Sequence, residues 1–168
     1  MSNPHLVFVY GSLKVGFGNN RILKDSRLIS TNCYTYKRYL MYNFSAYPGL
    51  IRPKDLPQSI SSTLTVHVAP VKGELYHVKS PDVLAALDRL EGYPNFYDKE
   101  TIDTYGVFRD TQDKMIDFKR YHKVTIYHLS KEYLSRTPTI SESNLIRPVE
   151  AKKSGRNSTS LKYLEWSK

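Results

Sequence analysis

The chain has 168 residues, of which 40% are hydrophobic and 24% charged, which suits one folded domain with a packed core. It holds no apolar stretch of about 18 residues, so no membrane partner is expected. The formal net charge is +9, but outside residues 147–168, with their six basic against two acidic side chains, the basic residues are scattered, so nucleic acid is not expected as a partner.

In chain order, Leu6-Val7-Phe8-Val9-Tyr10 predicts a buried strand that ends in a tight turn at Gly11-Ser12. Residues 14–20 are rich in Gly and Asn and read as a loop, and 21–24 as a single helical turn. Residues 28–44 predict one long strand or a strand pair, followed by a turn at Tyr47-Pro48-Gly49 and a loop over 52–59. Further strands are expected at 62–68 and 72–78, joined at Ala69-Pro70, and at 97–105 and 121–129, with a polar hairpin loop over 106–119.

One helix is clearly signalled, over 81–91. Ser80 suits the N-cap, Pro81 the first helical position and Asp82 the positive end of the dipole. Val83, Leu84, Leu87 and Leu90 recur at helical spacing, and Gly92 supplies a left-handed C-terminal cap. Strands outnumber helices, so the fold class is α+β: a small mixed, strongly curved sheet or barrel with few helices. The domain is expected over 1–134. Residues 135–168 form a basic C-terminal extension, partly ordered, with 161–166 docking back.

Cys33 is the single cysteine, so no internal disulfide can form, which fits a reducing compartment and a cytoplasmic location. The five histidines show no zinc-ligand spacing, and neither metal nor cofactor is expected. The 14 tyrosines against one tryptophan suit both cross-strand packing and the lining of a polar pocket.

Two local features carry chemistry. Glu91 follows Leu87 by four residues and Leu84 by seven, which puts a carboxylate on the apolar face at the negative end of the helix. Burial and dipole both disfavour its charge, so its pKa should rise toward the range useful for general acid/base work. A rim glutamate that turns its head to solvent or pairs with Lys99 or Arg89 is the plainer alternative. The second feature is Tyr10-Gly11-Ser12-Leu13-Lys14. A buried strand ending in Gly-Ser leaves main-chain N–H groups pointing out of the sheet end, a nest for an anion such as a carboxylate.

Together these stretches carry a resemblance. Val9-Tyr10-Gly11-Ser12-Leu13-Lys14, with Gly16, Asn20 and Leu23, resembles the N-terminal signature of the γ-glutamylcyclotransferase superfamily, also called AIG2-like, and most of all its γ-glutamylamine cyclotransferase branch. Tyr47-Pro48-Gly49-Leu50, Val71-Lys72-Gly73-Glu74-Leu75-Tyr76 and Leu87-Asp88-Arg89-Leu90-Glu91-Gly92-Tyr93-Pro94, with Tyr97, are similar to later motifs of that branch.

The resemblance implies an enzyme acting on a small-molecule substrate without metal. The α-amine of a γ-glutamyl group attacks its own side-chain carbonyl, closing 5-oxoproline and releasing an amine. Glu91 is implied as the general acid/base. The Tyr10-Gly11-Ser12-Leu13-Lys14 turn is implied as the substrate cradle, with Tyr10, Tyr97 and Tyr127 as pocket walls. Lys99 departs from the pattern, since relatives often carry arginine there, and lysine lacks the bidentate fork. The alternative reading is a non-catalytic protein that binds a small anionic or nucleotide-like metabolite on the same fold.

Overall fold

β1 (His5–Val9) lies in the middle of the sheet and is the reason the first apolar run is unbroken. Val7, Phe8 and Val9 are all buried, because successive side chains enter cores on opposite faces of the sheet. The computed structural model describes residues 5–56, 64–109, 111–112, 115–136, 140–150 and 162–167.

After β1 come β2 (Arg27–Asn43), β3 (Pro48–Ile51), β4 (Ala69–Val78), helix α1 (Pro81–Leu90), β5 (Tyr97–Arg109), β6 (Met115–Leu129), helix α2 (Lys131–Arg136), and the short strands β7 (Val149–Glu150) and β8 (Lys162–Tyr163). The main sheet runs β3-β2-β4-β1-β6-β5, and β2 pairs with β5 as well, which closes the sheet into a barrel. β1 is parallel to β6 and antiparallel to β4. The long β2 can serve both β4 and β5 because its register with β4 shifts at several points, and such bulges bend a strand. The expected α+β class with a strongly curved sheet is the fold observed.

Two buried clusters flank the sheet. Phe8, Tyr39, Met41, Leu75, Val124 and Ile126 belong to one. Val7, Val9, Leu87, Tyr97, Tyr127 and Leu129 belong to the other, against which the apolar face of α1 packs. No helix among the described residues is long and apolar enough to cross a membrane.

The helix expected over 81–91 is α1, with Ser80 in extended conformation at the N-cap position, though its side chain makes no capping hydrogen bond. The long strand expected over 28–44 is the single β2.

Other expectations need correction. Of the strand expected at 62–68, the described part holds a 3-10 turn at Thr65–His67; residues 62–63 lie outside the described residues. Alternation misled there, because Val66 is 69% exposed while His67 is buried against Glu142. Ala69-Pro70 is the start of β4 rather than a turn. Pro70 needs no N–H there, since its carbonyl is what Leu164 uses.

The polar 106–119 stretch is largely strand: β5 and β6 pair out to Arg109 and Met115 as a ribbon. Its end exposes Phe108 and Phe118, so it bears polar residues without being a loop. The helical turn expected at 21–24 is a 3-10 turn that begins earlier, at Gly18, inside the expected 14–20 loop. α2 had no counterpart among the expected elements.

Candidate active site

β1 ends at Val9, and the chain turns away from the sheet through Gly11, Ser12 and Leu13. Close packing fixes this turn. A Cβ on Gly11 would lie 2.7 Å from Cδ of Pro48, so only glycine lets the two segments meet. The Lys14 N–H closes the turn on the Gly11 carbonyl at 3.0 Å. Asn20 donates to the Leu13 carbonyl at 2.7 Å, and the Asn19 amide reaches Oγ of Ser12 at 2.9 Å. No hydrogen bond among the described residues takes up the N–H groups of Gly11, Ser12 and Leu13. They stay available to an acceptor entering from outside.

α1 delivers the carboxylate. Its end is a Schellman motif: the Tyr93 N–H bonds the Asp88 carbonyl at 2.9 Å and the Gly92 N–H bonds the Arg89 carbonyl at 3.2 Å. The left-handed Gly92, with φ of 63°, makes that reversal possible and leaves Glu91 as the last residue of right-handed conformation. Glu91 is half-buried, and its carboxylate has no hydrogen-bond or ion-pair partner among the described residues. Burial pushes its pKa up from 4.5 to about 7. The alternative of a glutamate paired with Lys99 or Arg89 does not describe this side chain.

Lys99 is instead engaged with Asp88, at 3.0 and 3.1 Å, and lies 4.3 Å above the ring of Tyr93. Asp88 also accepts from the Tyr127 hydroxyl at 2.5 Å. The sequence reading did not single out Asp88. Its spacing of three from Glu91 put it on the helix face beside the cavity, and that spacing was the available signal.

Both features open on one cavity of ≈ 400 Å³. Of the residues expected at the site, Tyr10, Gly11, Ser12, Leu13, Glu91, Tyr97 and Tyr127 all line it. Lys14 does not: its ammonium points the other way and donates to the main-chain carbonyl of Trp166 at 2.7 Å. Asn19, Tyr47, Pro48, Arg89 and Phe96 complete much of the lining and were not assigned to the site from sequence.

The tyrosines form the walls and are held by their hydroxyls. Tyr10 donates to the Tyr127 carbonyl at 2.7 Å and Tyr97 to the Pro48 carbonyl at 2.5 Å. Burial raises the pKa of Tyr10, Tyr97 and Tyr127, with the nearby Glu91 charge adding to each, so all three remain protonated donors. Arg89 is the one cation among the lining residues, is exposed, and has no ion-pair partner among the described residues.

Such a cavity offers main-chain donors for an anion or oxyanion, a carboxyl poised to take or give a proton near neutral pH, and aromatic walls that shed water.

A family model described as gamma-glutamyl cyclotransferase, AIG2-like, matches residues 7–145. A Vibrio cholerae protein named "Putative gamma-glutamylcyclotransferase" is 38% identical over 100 residues, covering 60% of this chain and 73% of the relative. A gamma-glutamylcyclotransferase family protein of Citrobacter rodentium is 31% identical over 101 residues, covering 60% of this chain and 74% of its own. The crystal structure of an AIG2-like protein from Mus musculus superposes with a TM-score of 0.51 at 20% identity, over 85% of this chain and 83% of that one, a likeness of fold. With most of its length matched, from β1 through the cavity-lining segments to Leu145, this chain belongs to the gamma-glutamyl cyclotransferase, AIG2-like, family.

Proposed function

We propose that this protein converts a γ-glutamyl compound, a γ-glutamyl amine foremost, to 5-oxoproline and the free amine. The reading rests on one observation. Glu91, raised by burial and without a partner among the described residues, shares a cavity with the N–H groups of Gly11, Ser12 and Leu13, which no described residue takes up.

In the proposed step the ionised Glu91 takes a proton from the substrate's α-ammonium. The freed nitrogen attacks the γ-carbonyl carbon, a C–N bond forms, and the carbonyl oxygen becomes an oxyanion. The main-chain N–H groups of the turn stabilise the substrate's carboxylate or that oxyanion. The intermediate collapses as the original amide C–N bond breaks and protonated Glu91 returns its proton to the departing nitrogen; the ring nitrogen sheds its second proton, which the released amine takes up to leave as its ammonium. One carboxyl serves both transfers because its pKa lies between extremes. Ring closure is intramolecular, so positioning by the tyrosine walls supplies much of the remaining effect.

The step needs no metal or cofactor. We place it in a domain of residues 1–134, followed by the basic extension 135–168, in a cytoplasmic protein whose single Cys33 is free. The test is a panel of γ-glutamyl amines, amino acids and peptides assayed for released 5-oxoproline. Glu91→Gln should keep the fold and lose the product. Undiminished release from that variant ends the reading.

A further inference from the structure

The family match ends at residue 145, yet the chain beyond it reaches the candidate cradle. β1 pairs with β4 only over Glu74–Val78, because at Tyr10 the chain leaves the sheet to form the turn. That departure would leave residues 70–72 of β4 unpaired on the side facing away from β2. The C-terminal segment fills it. The Leu164 N–H donates to the Pro70 carbonyl at 2.7 Å, and the Lys72 N–H to the Leu164 carbonyl at 2.8 Å. Leu164 is fully buried, so the segment is seated in the core rather than laid over it.

Two residues further on, Trp166 is 2% exposed and sits in the same buried cluster as Tyr10. Its ring packs against Phe17 with centroids 5.2 Å apart. Its carbonyl accepts from the Lys14 ammonium at 2.7 Å, and that ammonium lies 5.5 Å from the Phe17 ring. From the other side, the Val15 N–H is held by Oε1 of Glu74 at 2.8 Å. The loop that begins with Gly11-Ser12-Leu13 is thus clamped at Lys14, Val15 and Phe17, and Trp166 supplies two of the clamps.

We propose that Trp166 is a positioning residue for the main-chain cradle: the C-terminal segment holds the Gly11–Leu13 turn in its receptive shape through Lys14 and Phe17. The inference rests on the proposed function only in naming what the turn receives. Trp166 touches no reacting atom. It acts by sparing the substrate the cost of ordering the turn.

The test uses the full chain and three variants. Lys14→Met keeps an apolar stem but removes the donor to the Trp166 carbonyl; Trp166→Ala removes the ring; Trp166→Phe keeps a ring against Phe17. Each is measured for amide hydrogen exchange at Lys14, Val15 and Phe17, the hydrogen-bonded N–H groups within residues 11–17, and for kcat and KM on the best γ-glutamyl substrate, at a temperature where cooperative unfolding shows it folded. In Lys14→Met and Trp166→Ala, exchange at these groups rises about tenfold and KM rises by a similar factor, while kcat changes less than about threefold. Trp166→Phe recovers most of both. Unchanged exchange in Lys14→Met and Trp166→Ala, or a loss confined to thermal stability with KM unaltered, overturns the inference. If the unaltered protein releases 5-oxoproline from no γ-glutamyl compound, the functional reading fails by itself, and the exchange measurement still decides the role of Trp166.

Discussion

The hydroxyl of Tyr127 donates to Oδ1 of Asp88 at 2.5 Å, and the same carboxylate receives the Lys99 ammonium. The two acids at the end of α1 are thereby told apart. Asp88 is ion-paired and hydrogen-bonded, whereas Glu91 faces the cavity with no partner among the described residues. Their unlike surroundings leave one carboxylate held as a charge partner and the other able to move a proton.

Glu91→Gln tests the cost of that arrangement. The folded-state pKa of about 7 exceeds the ordinary 4.5, so folding favours the protonated form. The penalty is absent below about pH 4.5, grows as pH rises, and is complete above about pH 7, where it reaches about 3 kcal/mol. Denaturant unfolding should therefore show Glu91→Gln more stable by that order at about pH 8 and equal to the parent at about pH 4. Its release of 5-oxoproline should fall at least about a hundredfold.

Asp88→Asn should shift the pH dependence rather than abolish activity. It removes one negative charge near Glu91 and leaves the Lys99 ammonium uncompensated, and both changes favour ionised Glu91. The ascending limb of kcat/KM, centred near pH 7 by the Glu91 value, should move down by less than about one pH unit, since burial is what holds Glu91 up. An unmoved limb would show that Asp88 and Lys99 do not tune Glu91.

Gly11→Ala addresses the close approach beneath the cradle. The new methyl would meet Cδ and Cγ of Pro48 at 2.7 and 2.8 Å, and the Pro48 carbonyl is the acceptor that holds Tyr97. Unfolding experiments should show a loss of about 1–3 kcal/mol, and KM should rise. Gly18→Ala is the control: nothing lies within 4 Å of its Cβ position, and stability should change by less than about 1 kcal/mol.

Arg89→Gln removes the one cation among the described residues that line the cavity. A charge-assisted hydrogen bond to a substrate carboxylate is worth about 1.5–3 kcal/mol, so KM for an acidic γ-glutamyl substrate should rise about tenfold or more. Comparing a γ-glutamyl amino acid with its carboxamide shows which carboxylate the guanidinium meets. A loss confined to the acid assigns it to the leaving group, and an equal loss assigns it to the α-carboxylate.

Much of this was legible in the sequence where local and tertiary forces agree. The Ser80-Pro81 start, the leucine spacing and Gly92 all specify α1, and tertiary packing leaves that helix as local chemistry sets it. Five apolar residues before Gly11 specify a central strand for the same reason. The failures fall where partners are distant in sequence. Lys14 faces Trp166 across 152 positions, and Asp88 meets Tyr127 across 39, so neither contact has a local signature. The ribbon of β5 and β6 read as a loop because its pairing is supplied by the partner strand, while Phe108, Asp117, Phe118 and Lys119 stay exposed and the stretch carries no apolar period. Thr65-Val66-His67 alternated like a strand, yet the burial of His67 answers to Glu142, 75 residues away.

One border of β4 is shared by two segments far apart in the sequence, His5–Val9 over one stretch and Leu164 over the next. A bare strand border is an invitation to foreign chains, and here each segment closes the part that the other leaves open. Release of Leu164 would offer the main chain of Pro70–Lys72 to a neighbouring molecule. Loss of the terminal lock would then be felt as clumping at high protein concentration.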